Sequence, residues 1–220
     1  MPDRKKYLIV LGGEAEMELS GKDMLQVAIE RFTAVCPDIR VITVLPAARI
    51  SAWRSYCSVR NFHYPQALVA AGFTLFHSVR KALEKVPDGA LVIIHDGDRP
   101  LVSHRLIEEM LRRMAGGVRA LVPVIVSPDA VKRAGAEGGV LEDIPSGEYP
   151  LFLAQTPQMY LSEDVRAAYA EAYDFSLSDP SSVVGRKQIP LTPVEGERLN
   201  FKVMTREELA LAQAVIDGNS

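Results

Sequence analysis

Short, wholly apolar runs alternate with stretches of helical periodicity through the first 126 residues, and few architectures accept that order. Tyr7-Leu8-Ile9-Val10-Leu11 reads as a buried strand ending at Gly12-Gly13. Residues 39–45 are β-branched and stop at Pro46, Ala90-Leu91-Val92-Ile93-Ile94 is a further apolar run, and residues 120–126 form another. Runs without polar alternation fit strands buried on both faces. Between them, residues 23–34 set Leu25, Ala28, Ile29 and Phe32 on one helical face. A second helix passes through Trp53 and Tyr56, and residues 74–86 and 104–114 supply two more. Strands separated by helices pair in parallel through right-handed crossovers. The expectation is an α/β chain whose mostly parallel sheet carries helices on both faces. Its 220 residues, 48% of them hydrophobic, suit one domain spanning 1–220.

The pattern changes after Val126. Residues 131–143 hold Gly135, Gly138 and Gly139 between short alternating segments, which predicts a hairpin. That hairpin is either an ordinary surface feature or an arm, over about residues 127–150, that reaches a second subunit. Residues 199–203 read as a last strand and residues 206–216 as a last helix. Thr205 suits that helix as N-cap, with Glu208 completing a capping box.

Charge and cysteine content exclude several classes. With 25 basic against 28 acidic residues, a net charge of -3 and no lysine or arginine run, neither nucleic acid nor a membrane surface is an expected partner. The five apolar residues after Lys6 are too few for a signal peptide or a membrane span, so the expected location is cytoplasmic. Cys36 and Cys57 lie in no CxxC or Cys/His cluster, which argues against zinc and against a disulfide framework. His63, His77 and His104 have no partner motif and are read as structural. Trp53 and Tyr56 are read as core residues rather than a stacking platform.

In parallel sheets, sites form beyond the carboxyl ends of the strands. Glycines directly after the first strand let backbone amides approach a phosphate, although a plain strand-to-helix turn would look the same. No GxGxxG fingerprint is present, so a nicotinamide enzyme has little support. The strongest local signal is Ile94-His95-Asp96-Gly97-Asp98-Arg99-Pro100. A strand delivering two carboxylates and an arginine to its end suits a metal-bound phosphate, with Asp96 accepting Mg²⁺ or a hydroxyl and Arg99 pairing with phosphate. The alternative is a solvated turn in which Asp98 and Arg99 pair with each other. Gln155-Thr156-Pro157-Gln158 and Asn200-Phe201-Lys202-Val203 are weaker signals at two further strand ends.

Taken in order, these pieces resemble the methylerythritol phosphate cytidylyltransferases. The resemblance is carried by Leu11-Gly12-Gly13, Leu19-Ser20-Gly21-Lys22 with Met24-Leu25, Ser78-Val79, and His95-Asp96 with Arg99-Pro100. It continues through Asp129 with Lys132-Arg133, Ala154-Gln155-Thr156-Pro157-Gln158 and Asn200-Phe201-Lys202-Val203. It implies a Rossmann-like nucleotidyltransferase fold, a β-hairpin arm that builds a homodimer, and Mg²⁺-dependent transfer of CMP from CTP to a small phosphorylated sugar alcohol with release of pyrophosphate. It also implies roles: Lys22, Arg99 and Lys202 as catalytic residues, and Leu11, Gly12, Gly13, Ser78 and Asp96 at the nucleotide. Asp96, Arg99, Lys132, Thr156 and Lys202 would meet the acceptor, and Asp96 the metal.

The chain departs from the family pattern in identifiable places. Its loop after Gly13 is several residues shorter and lacks a Pro-Lys-Gln. Met17 falls near an expected arginine, Ala71-Gly72-Phe73-Thr74 replaces a glycine-rich segment carrying an arginine, Glu148 aligns with an arginine of the arm, and Leu199 with an aspartate. The shortened loop carries Glu14, Glu16 and Glu18. Two like charges about 8 Å apart repel by roughly 2 kcal/mol at an effective dielectric near 20, so three carboxylates facing a polyanion oppose its binding. Three readings follow: an active cytidylyltransferase in which Lys22 reaches the phosphates, a non-catalytic binding or scaffold protein with the same fold, and a related transferase for another nucleotide or acceptor.

Overall fold

The computed structural model describes residues 4–13, 17–134, 141–144 and 150–218. Gly135, Gly138 and Gly139 of the expected hairpin, Glu14 and Glu16 of the loop, and Glu148 lie outside the described residues.

The first half alternates as expected. Strand β1 (Lys6–Leu11) is followed by a two-rung hairpin, β2 (Glu18–Leu19) and β3 (Lys22–Asp23), and by helix α1 (Met24–Val35). Then come β4 (Arg40–Leu45), α2 (Arg49–Val59), β5 (Gln66–Ala70), α3 (Leu75–Leu83), β6 (Leu91–Asp96), α4 (His104–Ala115) and β7 (Ala120–Val126). The arm contributes β8 (Lys132–Ala134) and β9 (Leu141–Asp143), antiparallel to each other in a sheet of their own. The chain closes with β10 (Phe152–Ala154), β11 (Gln158–Leu161), α5 (Ser162–Tyr169), α6 (Pro180–Gly185), β12 (Thr192–Glu195) and α7 (Arg206–Asp217).

The main sheet runs in the order β10-β7-β11-β6-β1-β4-β5, with β12 added on β7. β1 is parallel to both β4 and β6, β4 to β5, and β12 to β7, whereas β10 and β11 run antiparallel. From β1 the chain steps outward to β4 and β5, then returns to place β6 on the other side of β1. That reversal sets the loops after β1 and β6 side by side, where α/β sheets bind ligands.

Side chains alternate across the sheet, so each strand feeds two cores. Leu8, Val10 and Ile93 pack under α1, α2 and α4 through Phe32, Trp53 and Met110. Ile9, Ile42 and Ile94 face α3, α5 and α6 through Phe76, Tyr169 and Val183. A third cluster of Leu19, Met24, Leu101, Val203 and Ala212 seats α7 at the carboxyl end of the sheet. As expected, α7 is closed by a capping box: the Glu208 amide donates to Thr205 Oγ1 at 3.2 Å and the Thr205 amide to Glu208 Oε2 at 2.8 Å.

The ends of β1 and β6 touch through main chain. The Gly97 amide donates to the Leu11 carbonyl at 2.8 Å. A methyl group on Gly97 would stand 2.9 Å from Leu25 Cδ1, 3.0 Å from the Leu11 carbonyl oxygen and 3.5 Å from Gly12 Cα. Gly97→Ala is therefore expected to destabilise by about 1–3 kcal/mol, the usual range for overpacking. In urea this appears as a lower midpoint with an unchanged m-value.

Residues 199–203 form no strand. They run as irregular backbone held by Asn200, whose amide donates to the Glu197 carbonyl at 3.0 Å, and by the Val203 amide, which donates to the Asp98 carbonyl at 2.7 Å. The parallel strand near this end of the chain is instead β12, which holds Pro193 and a single buried residue, Val194.

Candidate active site

β6 sends successive side chains to different jobs. His95 is fully buried with its ring edge-on to Phe32 at 4.9 Å between centroids, while Asp96 opens toward the loops. Two cations meet on one oxygen of Asp96: Lys202 Nζ stands 3.1 Å from Oδ2, and Arg99 Nε donates to Oδ2 at 3.1 Å. Lys202 also lies 3.7 Å from Asp98 Oδ2, and the other oxygen, Asp98 Oδ1, is buried without a hydrogen-bond partner among the described residues. Arg99 Nη1 donates to the Asn200 carbonyl at 2.6 Å, which joins the β6 loop to the segment before α7.

These contacts set the charge states. Burial alone would raise the Asp96 carboxyl, but the Lys202 ammonium and the Arg99 guanidinium hold it below its ordinary value, so it is ionised at neutral pH. Asp98 moves the other way, raised by burial and by the neighbouring Asp96 charge. Burial pushes His95 down to about 4, leaving a neutral ring. Its Nε2 lies 3.1 Å from the Arg99 carbonyl, which only accepts, so the network assigns the hydrogen to Nε2. Nδ1 then accepts from the Thr156 hydroxyl at 3.2 Å, and Thr156 Oγ1 accepts from the Asp96 amide at 3.0 Å.

Thr156 reaches this position because a strand is interrupted. β10 and β11 follow one another along the same edge of β7, opposite β12. Gln155 still donates to the Pro123 carbonyl at 2.8 Å, but Thr156-Pro157 leave the ladder, and proline has no N–H to give it. The displaced pair is held from the other side: Asn200 Nδ2 donates to the Thr156 carbonyl at 2.7 Å, and Gln155 Nε2 to the Glu197 carbonyl at 2.8 Å.

A cavity of about 180 Å³ lies beside the contact between the β1 and β6 loops, lined by Gly12, Gly13, Arg49, Gly97, Asp98 and Met204 among others. Arg49, the first residue of α2, is buried; its Nη1 donates to the Gly13 carbonyl at 2.9 Å and its Nη2 to Asp23 Oδ2 at 2.8 Å. Sequence reasoning passed over this residue. Applying the strand-end rule to β4, as to the other strands, points to the stretch after Pro46 that contains it.

The residues singled out from sequence therefore divide. Leu11, Gly12, Gly13, Asp96, Arg99, Thr156 and Lys202 converge on the loops after β1 and β6. Lys22 does not line the cavity; it is exposed on β3 and pairs with Glu30 at 2.7 Å. Ser78 is buried in α3, where its Oγ accepts from the Gly72 amide at 2.9 Å and donates to the Thr74 carbonyl at 2.9 Å, closing the loop after β5. Lys132 sits on the arm, outside the main sheet. Glu18 is exposed and paired with Arg60 at 3.2 Å. Trp53 is buried and stacks on Tyr56 at 5.3 Å, as a core residue does.

Among the described residues no group of three or more His, Cys, Asp or Glu side chains could hold a metal ion by itself. A magnesium ion that takes one or two carboxylates and completes its shell with phosphate and water still fits Asp96 and the unpartnered Asp98 oxygen. No helix among the described residues is long and apolar enough to cross a membrane.

The family model for 2-C-methyl-D-erythritol 4-phosphate cytidylyltransferase matches residues 14–218. The protein of that name from Azobacteroides pseudotrichonymphae is 31% identical over 226 residues, covering 97% of this chain and 100% of its own. The one from Phocaeicola vulgatus is 31% identical over 209 residues, covering 94% and 93%. The crystal structure of the 2-C-methyl-D-erythritol 4-phosphate cytidylyltransferase from Thermus thermophilus aligns with a TM-score of 0.72 at 27% identity, over 97% of this chain and 99% of that one. A 4-diphosphocytidyl-2C-methyl-D-erythritol synthase from Anaerococcus prevotii shares the fold with a TM-score of 0.79 at 21% identity, over 97% and 99%.

Proposed function

Because this chain belongs to the 2-C-methyl-D-erythritol 4-phosphate cytidylyltransferase family, we propose that it transfers CMP from CTP to 2-C-methyl-D-erythritol 4-phosphate and releases pyrophosphate. The observation that carries this reading is the meeting of Lys202 and Arg99 on ionised Asp96 at the reversal point between β1 and β6. In such a transfer an oxygen of the acceptor phosphate attacks the α-phosphorus in line, and the bond to the bridging oxygen breaks with its electrons going to pyrophosphate. The protein's task is to position the two reactants and to neutralise charge.

Gly13, with open space where a side chain would stand, leaves main chain accessible to the nucleotide phosphates, while the Gly12 amide donates to the Val44 carbonyl at 2.9 Å and fixes the loop's start. Lys202 and Arg99, aimed by Asp96, face the charge that gathers where the two phosphates approach. Thr156, held through His95 and Asn200, accepts from the Asp96 amide and so steadies the end of β6 from behind. A divalent cation, when bound at Asp96 and Asp98, would supply further neutralisation at the phosphates. Glu18 turns to Arg60 and not to the cavity, which weakens the electrostatic case for a non-catalytic scaffold. The same reading takes the protein as a single-domain cytoplasmic enzyme that pairs with a second copy through the arm. Exposed Val126, Phe152 and Leu153 near the arm's base suit that pairing.

The test is direct. Purified protein with CTP, Mg²⁺ and 2-C-methyl-D-erythritol 4-phosphate is expected to release pyrophosphate and form the cytidine diphosphate ester in equal amounts. Chelation by EDTA is expected to abolish both, with restoration by excess Mg²⁺. Pyrophosphate no higher than background, from protein that melts cooperatively, would overturn the reading.

A further inference from the structure

We propose that Arg49 is the positioning residue of the nucleotide-facing loop, its guanidinium clamping the Gly13 carbonyl to the Asp23 carboxylate so that the end of β1 and the start of α1 are held as one surface for CTP. The inference rests on the reading of the site given above and adds a residue from α2, an element that otherwise sends nothing to the phosphates.

Three strands of observation support it. The guanidinium meets two acceptors from different elements, Gly13 O at 2.9 Å and Asp23 Oδ2 at 2.8 Å, and both partners of the ion pair are nearly buried, with side-chain exposures of 10% and 9%. Asp23 is itself committed: its Oδ1 caps α1 by accepting from the Leu25 amide at 2.8 Å, and its own amide donates to the Tyr56 hydroxyl at 2.7 Å. That hydroxyl donates onward to Gln26 Oε1 at 2.7 Å, so α1 and α2 are locked together around the clamp. Finally, Arg49 lines the same cavity as Gly12, Gly13 and Asp98.

The physical reason for an arginine here is its shape. A planar fork reaches two acceptors at once, whereas a lysine ammonium is a point charge on a flexible stem. A buried ion pair is a weak source of stability, because desolvation offsets the attraction, and its better-attested use is fixing geometry. Turning the Gly13 carbonyl onto Arg49 withdraws an acceptor oxygen that would oppose a phosphate, and leaves the positive group beside the cavity.

Steady-state kinetics on Arg49→Met and Arg49→Lys read this out. Arg49→Met is expected to raise the KM for CTP about tenfold or more, with the KM for the sugar phosphate and kcat held within roughly two- to threefold, as a misplaced binding loop predicts. Arg49→Lys is expected to resemble Arg49→Met, since it keeps the charge and loses the fork. An unchanged KM for CTP in both variants, an equal rise in both substrates' KM values, or full rescue by lysine would each overturn the clamp. If Arg49→Met does not fold, Arg49→Lys alone decides by the same readouts. Wild-type protein that binds CTP without turnover sinks the proposed function only, and calorimetric CTP affinity, wild type against Arg49→Lys, then takes over as the test. Wild-type protein that binds no CTP sinks both.

Discussion

Lys202→Met is expected to lower kcat/KM by about two to three orders of magnitude, the range seen when one preorganised donor is removed from a charge-stabilising site. Methionine keeps the length and the apolar stem, so the change isolates the ammonium. In the wild type that group stands 3.1 Å from Asp96 Oδ2 and 3.7 Å from Asp98 Oδ2 while its side chain keeps 41% exposure, close enough to be aimed and open enough to meet a substrate. In the proposed reaction its removal withdraws a positive charge from the phosphates, and in the fold it leaves two carboxylates, two residues apart, without their shared cation. Asp98, already raised by burial and by Asp96, is expected to rise further, and Asp96 to lose part of what holds it down. The variant should still fold, because its segment is anchored by the Val203 amide on the Asp98 carbonyl at 2.7 Å and by Asn200 Nδ2 on the Thr156 carbonyl at 2.7 Å, and not by the lysine. Activity within about threefold of wild type, against the loss a donor of this kind normally brings, would mean that Lys202 is a surface residue of the turn and nothing more.

The second large effect concerns stability against pH. His95 in the fold is pushed down to about 4 by complete burial, against an ordinary value near 6.5 in the unfolded chain. Between those values the unfolded chain takes up a proton and the folded one does not, so stability falls as the pH is lowered from 6.5 toward 4. A difference of that size corresponds to about 3 kcal/mol, fully lost only below the lower value. Asp96, whose folded value is lowered, adds a further loss at more acidic pH, whereas Asp98, whose folded value is raised, acts in the opposite direction. Urea denaturation of wild type and His95→Gln, followed from neutral pH down to about pH 4.5, separates these contributions. The glutamine variant starts less stable, because one of the two hydrogen bonds through the ring is lost, and should show a shallower decline. Parallel curves for the two proteins would show that another group governs the acid sensitivity.

How much of this was readable from the chain depends on where each signal lies. Strands β1, β6 and β7 announce themselves because both faces are covered and apolar residues must run almost unbroken. Thr205 and Glu208 reveal α7 because a capping box is local in sequence. Edge and patch strands do not. β5 is a short edge strand in which Val69 alone is buried, and β12 carries a proline and one buried valine, so neither shows the long β-branched run of the central strands. Residues 199–203 carry apolar side chains without strand pairing because they are spent on anchoring: Asn200 on the Thr156 carbonyl and Val203 in the cluster under α7. The site shows the same division. Asp96 and Arg99 are three apart and readable as a pair, while Arg49 and Asp23 are separated by 26 residues, and His95 and Thr156 by 61, so the fold alone brings them together. Lys22 illustrates the converse. Its place beside Gly21 looks right for a phosphate loop, yet the tight β2–β3 turn directs it to Glu30 on α1.

The seam between Gly12 and Gly97 has a practical meaning for loop transplantation. Since main chain from one side lies against main chain from the other, repacking side chains alone cannot make room for a bulkier junction there. A longer phosphate-side segment grafted into this scaffold should retain Gly12-Gly13 as its entry and rejoin at Met17, whose carbonyl receives the Met24 amide at 3.0 Å. An insertion on the strand side of Gly12 would pry the β1 loop from the β6 loop and, in the proposed reaction, move the nucleotide's half away from the acceptor's.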